Sequence, residues 1–155
     1  MGTGGMRRAL AGVVAVATAL TLAACGADGV TDESAEAGFG VAQLQSPDQV
    51  EGVREPIRGT VSIASNGCLR LLIDDGTSPW IVWPPDSELA DNGGVIADGS
   101  RYYDGDALVG AGVLVELTDL PDGDNPDSYF SSFGGYCGAD ETGVVVLDAV
   151  AHAEA

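Results

Sequence analysis

Between Thr60 and Ile73 the chain runs twice through an apolar and polar alternation, and Ser65, Asn66 and Gly67 separate the two runs. Val61 and Ile63 share one phase of the first run, and Leu69, Leu71 and Ile73 share one phase of the second. Alternation with period two builds a half-buried strand, because successive side chains point to opposite faces. A two-residue turn at Asn66 and Gly67 pairs Ile63 with Arg70 and Ser62 with Leu71, which mixes the faces. A three-residue loop with Gly67 in the left-handed position instead pairs Ile63 with Leu69 and Val61 with Leu71. It also sets Ser62 opposite Arg70 on the wet side. The pattern therefore predicts a bulged hairpin of fixed register, to which the rest of the chain must fit.

Downstream, Asp74, Asp75 and Gly76 turn the chain, and Trp80 to Trp83 form a strand that Pro84 and Pro85 stop. The two tryptophans lie an odd number of residues apart, so they face opposite ways. One is expected in the core and the other at a rim or an exposed face. Asp86 to Ala90 can make a helical turn ended by Asn92 and Gly93, and Val95 to Ala97 and Arg101 to Tyr103 are short strand candidates. Val113, Val115 and Leu117 alternate with Leu114, Glu116 and Thr118, and Val145, Leu147 and Ala149 alternate with Val146 and Asp148. Short strands punctuated by Gly, Pro, Asn and Asp, with no long helix, predict an all-β domain. A small antiparallel β-barrel of the OB type suits its size better than a β-sandwich.

The N-terminal end reads differently. Arg7 and Arg8 precede an uncharged run from Ala9 to Ala24, the order of a secretory signal peptide. The run falls short of the roughly 20 apolar residues of a spanning helix. Leu22, Ala23, Ala24 and Cys25 resemble the lipobox of bacterial lipoproteins. The resemblance covers only the leader and its cysteine. It implies that Cys25 receives a diacylglycerol thioether, that residues 1–24 are removed, and that the domain is held at the membrane without spanning it. An ordinary signal peptide leaving Cys25 as a plain thiol is the competing reading. Arg7 and Arg8 lack the flanking residues of a twin-arginine signal, so the general secretory route is expected.

If the lipid consumes Cys25, Cys68 and Cys137 remain as an even pair, and in an exported chain that predicts a disulfide. It would close a loop of about 70 residues, for which chain entropy gives about 4 kcal/mol. Two buried thiols are the alternative. Residues 25–56 read as a lipid-anchored flexible linker, rich in small and acidic residues and broken by Pro47 and Pro56. A short helix from Asp48 to Arg54 is conceivable there. As a coil of about 30 residues, this leash would hold the domain roughly 30 Å from the bilayer. The β domain is expected over 57–150 and a disordered tail over 151–155.

Charge narrows the partners. All 24 acidic residues follow Cys25, against Arg54, Arg58, Arg70 and Arg101, and the chain has no lysine. Such a field repels phosphate backbones, so nucleic acid is excluded as a partner. No cofactor is expected. The only histidine, His152, stands near the end of the sequence, and Ser131 and Ser132 lie in no nucleophile elbow. An enzyme is not expected.

Two stretches remain as candidates for binding. Asp122, Asp124 and Asp127, near Asp119 and Asn125, offer oxygen ligands that would suit calcium, but Pro126 breaks the EF-hand spacing. A solvated turn explains the same residues. Asp104 and Asp106 form a weaker pair. Tyr129, Phe130, Phe133 and Tyr136 crowd before Cys137 among serines and glycines, a mixture found in recognition loops. Together with Trp80 or Trp83 they would line a surface for a protein or small-molecule ligand, or they would cap the barrel instead. The functional expectation is a membrane-anchored, extracytoplasmic, non-enzymatic binding module. A calcium-stabilised structural module and an envelope hydrolase using paired carboxylates are the alternatives.

Overall fold

The computed structural model describes residues 40–154. The leader over 1–24, Cys25, the linker as far as Phe39, and Ala155 lie outside the described residues. The strands are β1 (Glu55–Ile63), β2 (Leu69–Leu72), β3 (Trp80–Val82), β4 (Glu88–Leu89), β5 (Val95–Ala97), β6 (Ser100–Tyr102), β7 (Ala107–Val115) and β8 (Val144–His152). Two short helices, α1 (Tyr129–Tyr136) and α2 (Ala139–Thr142), lie between β7 and β8. Five strands close a barrel in the order β1-β2-β3-β8-β7, and β4, β5 and β6 form a separate three-stranded sheet. The small barrel is thus the architecture, and the sandwich is not. Four of its seams are antiparallel, whereas β3 and β8 run parallel, Trp80 opposite Val144. A parallel pair needs a long crossover. Here that crossover carries the small sheet, β7 and both helices.

The hairpin adopts the register that its alternation demands: Ile63 faces Leu69, Val61 faces Leu71 and Ser62 faces Arg70. Gly67 takes φ +78°, and its N–H donates to the Ala64 carbonyl at 2.9 Å. The apolar phase of β1 and β2 then points into the barrel. Val61, Leu69, Leu71, Ile81, Trp83, Leu108, Val145 and Leu147 pack there, and β5 and β6 close one end with Val95, Ala97 and Tyr102.

A second apolar cluster lies on the outside of the same strands. Trp80 and Val82 from β3 and Val144 and Val146 from β8 meet Phe133 and Ala139 from the helices, together with Leu117 and Leu120. Both tryptophans are therefore buried, each about 1 % exposed, although they do point to opposite faces. The expectation that one of them is exposed fails because β3 is covered on both sides.

Several boundaries shift. The folded domain starts well before residue 57. Val41 enters the inner cluster, Ala42, Leu44 and Val50 enter the outer one, and Trp83 N–H donates to the Ala42 carbonyl at 2.7 Å. The linker of 25–56 is thus structured from Val41 onward, with a 3-10 turn at Pro47–Gln49 in place of a helix over 48–54. At the other end β8 continues through His152, paired with Leu108, so the tail from 151 is not disordered at its start. The turn expected over 86–90 is the edge strand β4, entered through Asp86 at φ +64°. Between Ala111 and Gly112 the β7–β8 ladder slips by one residue, because the partner jumps from Ala149 to Leu147. That bulge leaves Ala149 exposed and turns Val150 inward, reversing the simple alternation.

Candidate functional site

The aromatic stretch before Cys137 is a helix, not a loop. Ser128 caps it, its Oγ accepting from Ser131 N–H at 3.1 Å. The helix lies flat on the barrel through Phe133, whose ring meets Trp80 edge to face with centroids 4.9 Å apart. Gly134 permits that approach, since a Cβ there would collide with the Leu117 side chain and come within 3.2 Å of the Trp80 ring. The Cys68–Cys137 disulfide ties the end of α1 to the β1–β2 loop, with both cysteines buried and Cα atoms 5.6 Å apart. Around it, Tyr136 donates to the Asn66 carbonyl at 3.2 Å. Arg70 Nη2 donates to the Cys137 carbonyl, placing a cation at the C-terminus of α1. Arg70 is therefore tucked beneath the helix and not on a wet face, as its alternation implied.

These contacts place the six rings at different depths. Trp80, Trp83 and Phe133 are interior and Phe130 is partly buried, so the six rings do not assemble into one open surface. Trp83 lies within the barrel, and Trp80 and Phe133 pack between β3 and α1 on its outer face. Only Tyr129 and Tyr136 reach solvent substantially, at 43 % and 41 %. Tyr129 also donates to the Val41 carbonyl at 3.3 Å, and burial pushes its phenol above the ordinary tyrosine value. In OB-type barrels the outer face of strands 2 and 3, with the loops after strands 1 and 4, is a common binding surface. In this chain α1 covers the β3 part of that face at Trp80, while Leu72 of β2 stays 48 % exposed.

The acidic stretch does not converge either. Asp122, Asp124 and Asp127 are exposed along a series of turns, where Asp127 N–H donates to Asn125 Oδ1 at 3.1 Å. Among the described residues no group of three or more His, Cys, Asp or Glu stands close enough together to hold a metal ion. Asp104 accepts from Ile63 N–H at 2.8 Å and so ties the β6–β7 loop to the end of β1, whereas Asp106 accepts from Tyr103 N–H at 2.7 Å within the loop itself. His152 stacks on Tyr102 with ring centroids 4.5 Å apart.

A different concavity opens where the β2–β3 turn, the end of β7 and the start of β8 meet. It is a groove of about 370 Å³ with Pro79, Leu114 and Val144 among its apolar lining and Asp75, Glu116 and Asp119 among its polar lining. Leu114 is 52 % exposed. Asp75 Oδ1 accepts from Thr77 Oγ1 at 2.6 Å and from Thr77 N–H at 2.8 Å, and these bonds hold the carboxyl below the usual aspartate range. Asp119 Oδ2 accepts from Glu116 N–H at 3.0 Å, which fixes the start of a 3-10 turn at Leu117–Asp119. Two carboxylates of the rim are thus oriented by their own turns. Reading along the strands did not find this groove, because its walls come from three separate segments. One local signal was present: Leu114 is apolar in the phase that Glu116 and Thr118 hold for solvent.

A second hollow, of about 420 Å³, is lined by Gln43, Leu44, Gln45, Pro85 and Asp86. Its Gln43 amide is engaged in both directions by the backbone of Ser87. Comparison with known protein families, with curated proteins and with solved structures gave no match in any of the three.

Proposed function

We propose that this protein is a bacterial lipoprotein whose barrel is a non-enzymatic binding module, displayed on the extracytoplasmic face and held to the membrane through an acylated Cys25. The observation that carries the reading is the buried Cys68–Cys137 disulfide. Cross-links of this kind persist in oxidising compartments, where a lipobox-like leader would deliver the chain. Residues 26–39 carry Asp28, Asp32, Glu33 and Glu36 among small residues and serve as the leash. Binding, and not catalysis, fits the use of the acids: Asp75, Asp106 and Asp119 accept from N–H groups of their own turns, and Asp104 accepts from Ile63 N–H of β1.

The test is the mass of the first tryptic peptide from membrane-derived protein. A diacylglyceryl adduct on Cys25, and release of a Cys25→Ser chain from the membrane fraction, are the expected results. An unmodified Cys25, with free thiols at 68 and 137, overturns the reading.

A further inference from the structure

We propose that the groove between the β2–β3 turn and the β7–β8 seam binds a basic peptide segment of a partner protein, with an apolar side chain of that segment seated on Leu114. The proposal rests on the binding-module reading above and names the kind of partner. The open apolar part of its floor is Leu114, which is half exposed, while Pro79 and Val144 in the same lining are buried. Its rim brings Asp75, Glu116 and Asp119 to the same opening. Asp75 and Asp119 are already oriented by hydrogen bonds from Thr77 and Glu116, so a ligand need not order them. No arginine is among the residues lining the groove. Arg54 is paired with Asp148 at 2.8 Å, and Arg70 is committed to the Cys137 carbonyl. No cation of the lining therefore balances this rim.

Charge selects the occupant. The chain's own segment 26–39 bears four carboxylates and no cation, so it is repelled from the rim. A second copy brings the same sign, since the chain carries a net charge of −18. A segment with lysines or arginines flanking a leucine-like residue satisfies both halves of the site. The cations meet the rim, and the apolar side chain covers Leu114. Opposite potentials also speed the encounter and make it sensitive to salt.

The experiment uses the whole chain purified from membranes in non-ionic detergent and three labelled probes followed by fluorescence anisotropy. These are a peptide alternating Lys and Leu, a twin with Glu for Lys, and a peptide of Lys and Gly. The Lys and Leu peptide is expected to bind, and to weaken at least about tenfold between low and physiological ionic strength as screening sets in. Leu114→Ser should weaken it by about fivefold, the value of half a leucine returned to water. The isosteric set Asp75→Asn, Glu116→Gln and Asp119→Asn keeps the turn acceptors and should flatten the salt dependence. Leu72→Ser, at an equally exposed leucine outside the groove, should leave binding unchanged.

Absence of binding overturns the proposal. So does equal binding of the Lys and Gly peptide with no effect of Leu114→Ser, which is diffuse attraction to an acidic surface. Either result, with Cys25 acylated and the disulfide intact, removes the partner class and leaves the anchored module standing. An unmodified Cys25 removes the anchoring whatever the peptides do.

Discussion

The two apolar clusters of this domain are built from the same strands but are held in different ways. Inside the barrel, Leu71, Ile81, Trp83 and Leu147 project from strands whose backbones are hydrogen-bonded all round the ring. Outside it, Trp80 is covered by α1, which is only eight residues long and contains two serines and two glycines. A helix of that length and composition has little intrinsic stability. It persists because Phe133 is buried against Trp80, Arg70 meets its end, and a disulfide holds it to the β1–β2 loop. The inner cluster is a product of sheet closure. The outer one is a product of docking. The difference teaches that two equally buried aromatic rings need not have equal structural consequences when removed.

The sharpest test of that contrast compares Trp83→Ala with Phe133→Ala. Trp83→Ala should cost about 3–5 kcal/mol and lower the stability of the whole domain, because the cavity opens within the ring. Phe133→Ala should act mainly on the docked helix. Amide exchange should rise across 128–143 while the β7–β8 seam stays protected, and equal deprotection of that seam would erase the distinction. Next in size is removal of the bridge. Replacing Cys68 and Cys137 together by Ala should cost about 4 kcal/mol by the chain-entropy estimate for a closed loop of this length. Denaturant unfolding of the two forms measures the loss, and proteolysis should then cut first within 128–143.

The smallest effect is alkaline. Burial raises the phenols of Tyr102, in the inner cluster, and Tyr129, on the docked helix. Folding therefore favours their neutral forms. The stability they contribute is fully present below about pH 10, the ordinary tyrosine value, and is lost as pH rises through the raised folded value. Urea midpoints measured across that range should fall with pH. Tyr129→Phe should remove the part of the fall that belongs to the helix, and an unchanged profile in that variant would assign the whole effect elsewhere.

What could be read in the residues follows the same division. The register of β1 on β2 was legible because only one loop length keeps Val61, Ile63, Leu69 and Leu71 on a single face. The partnership of Cys68 with Cys137 followed from parity. The covering of β3 was not legible. Alternation gives Trp80 and Trp83 opposite directions, but it does not say that a helix from far along the chain lies on one of them. The helix itself was hidden because Gly134 and Gly135 suggest a loop, whereas Gly134 is there for the closeness of its contact with Leu117 and Trp80. Val41, Ala42 and Leu44 were missed because a run of that length, set among polar residues, carries no periodic signal of its own. The groove at Leu114 is a property of three segments meeting, and only its misplaced apolar phase marked it beforehand.

The parallel seam between β3 and β8 has a consequence for how the molecule is made. β3 ends at Val82, but its neighbour does not begin until Val144, and that same last strand also zips along the full length of β7. A chain that emerges with its N-terminus first thus carries an unclosed hairpin, with Trp80 and Trp83 uncovered, until β8 arrives. Contacts so distant in sequence slow folding and leave apolar edges open to other chains meanwhile. Whatever machinery handles the polypeptide has to keep it unaggregated until the last stave is in place.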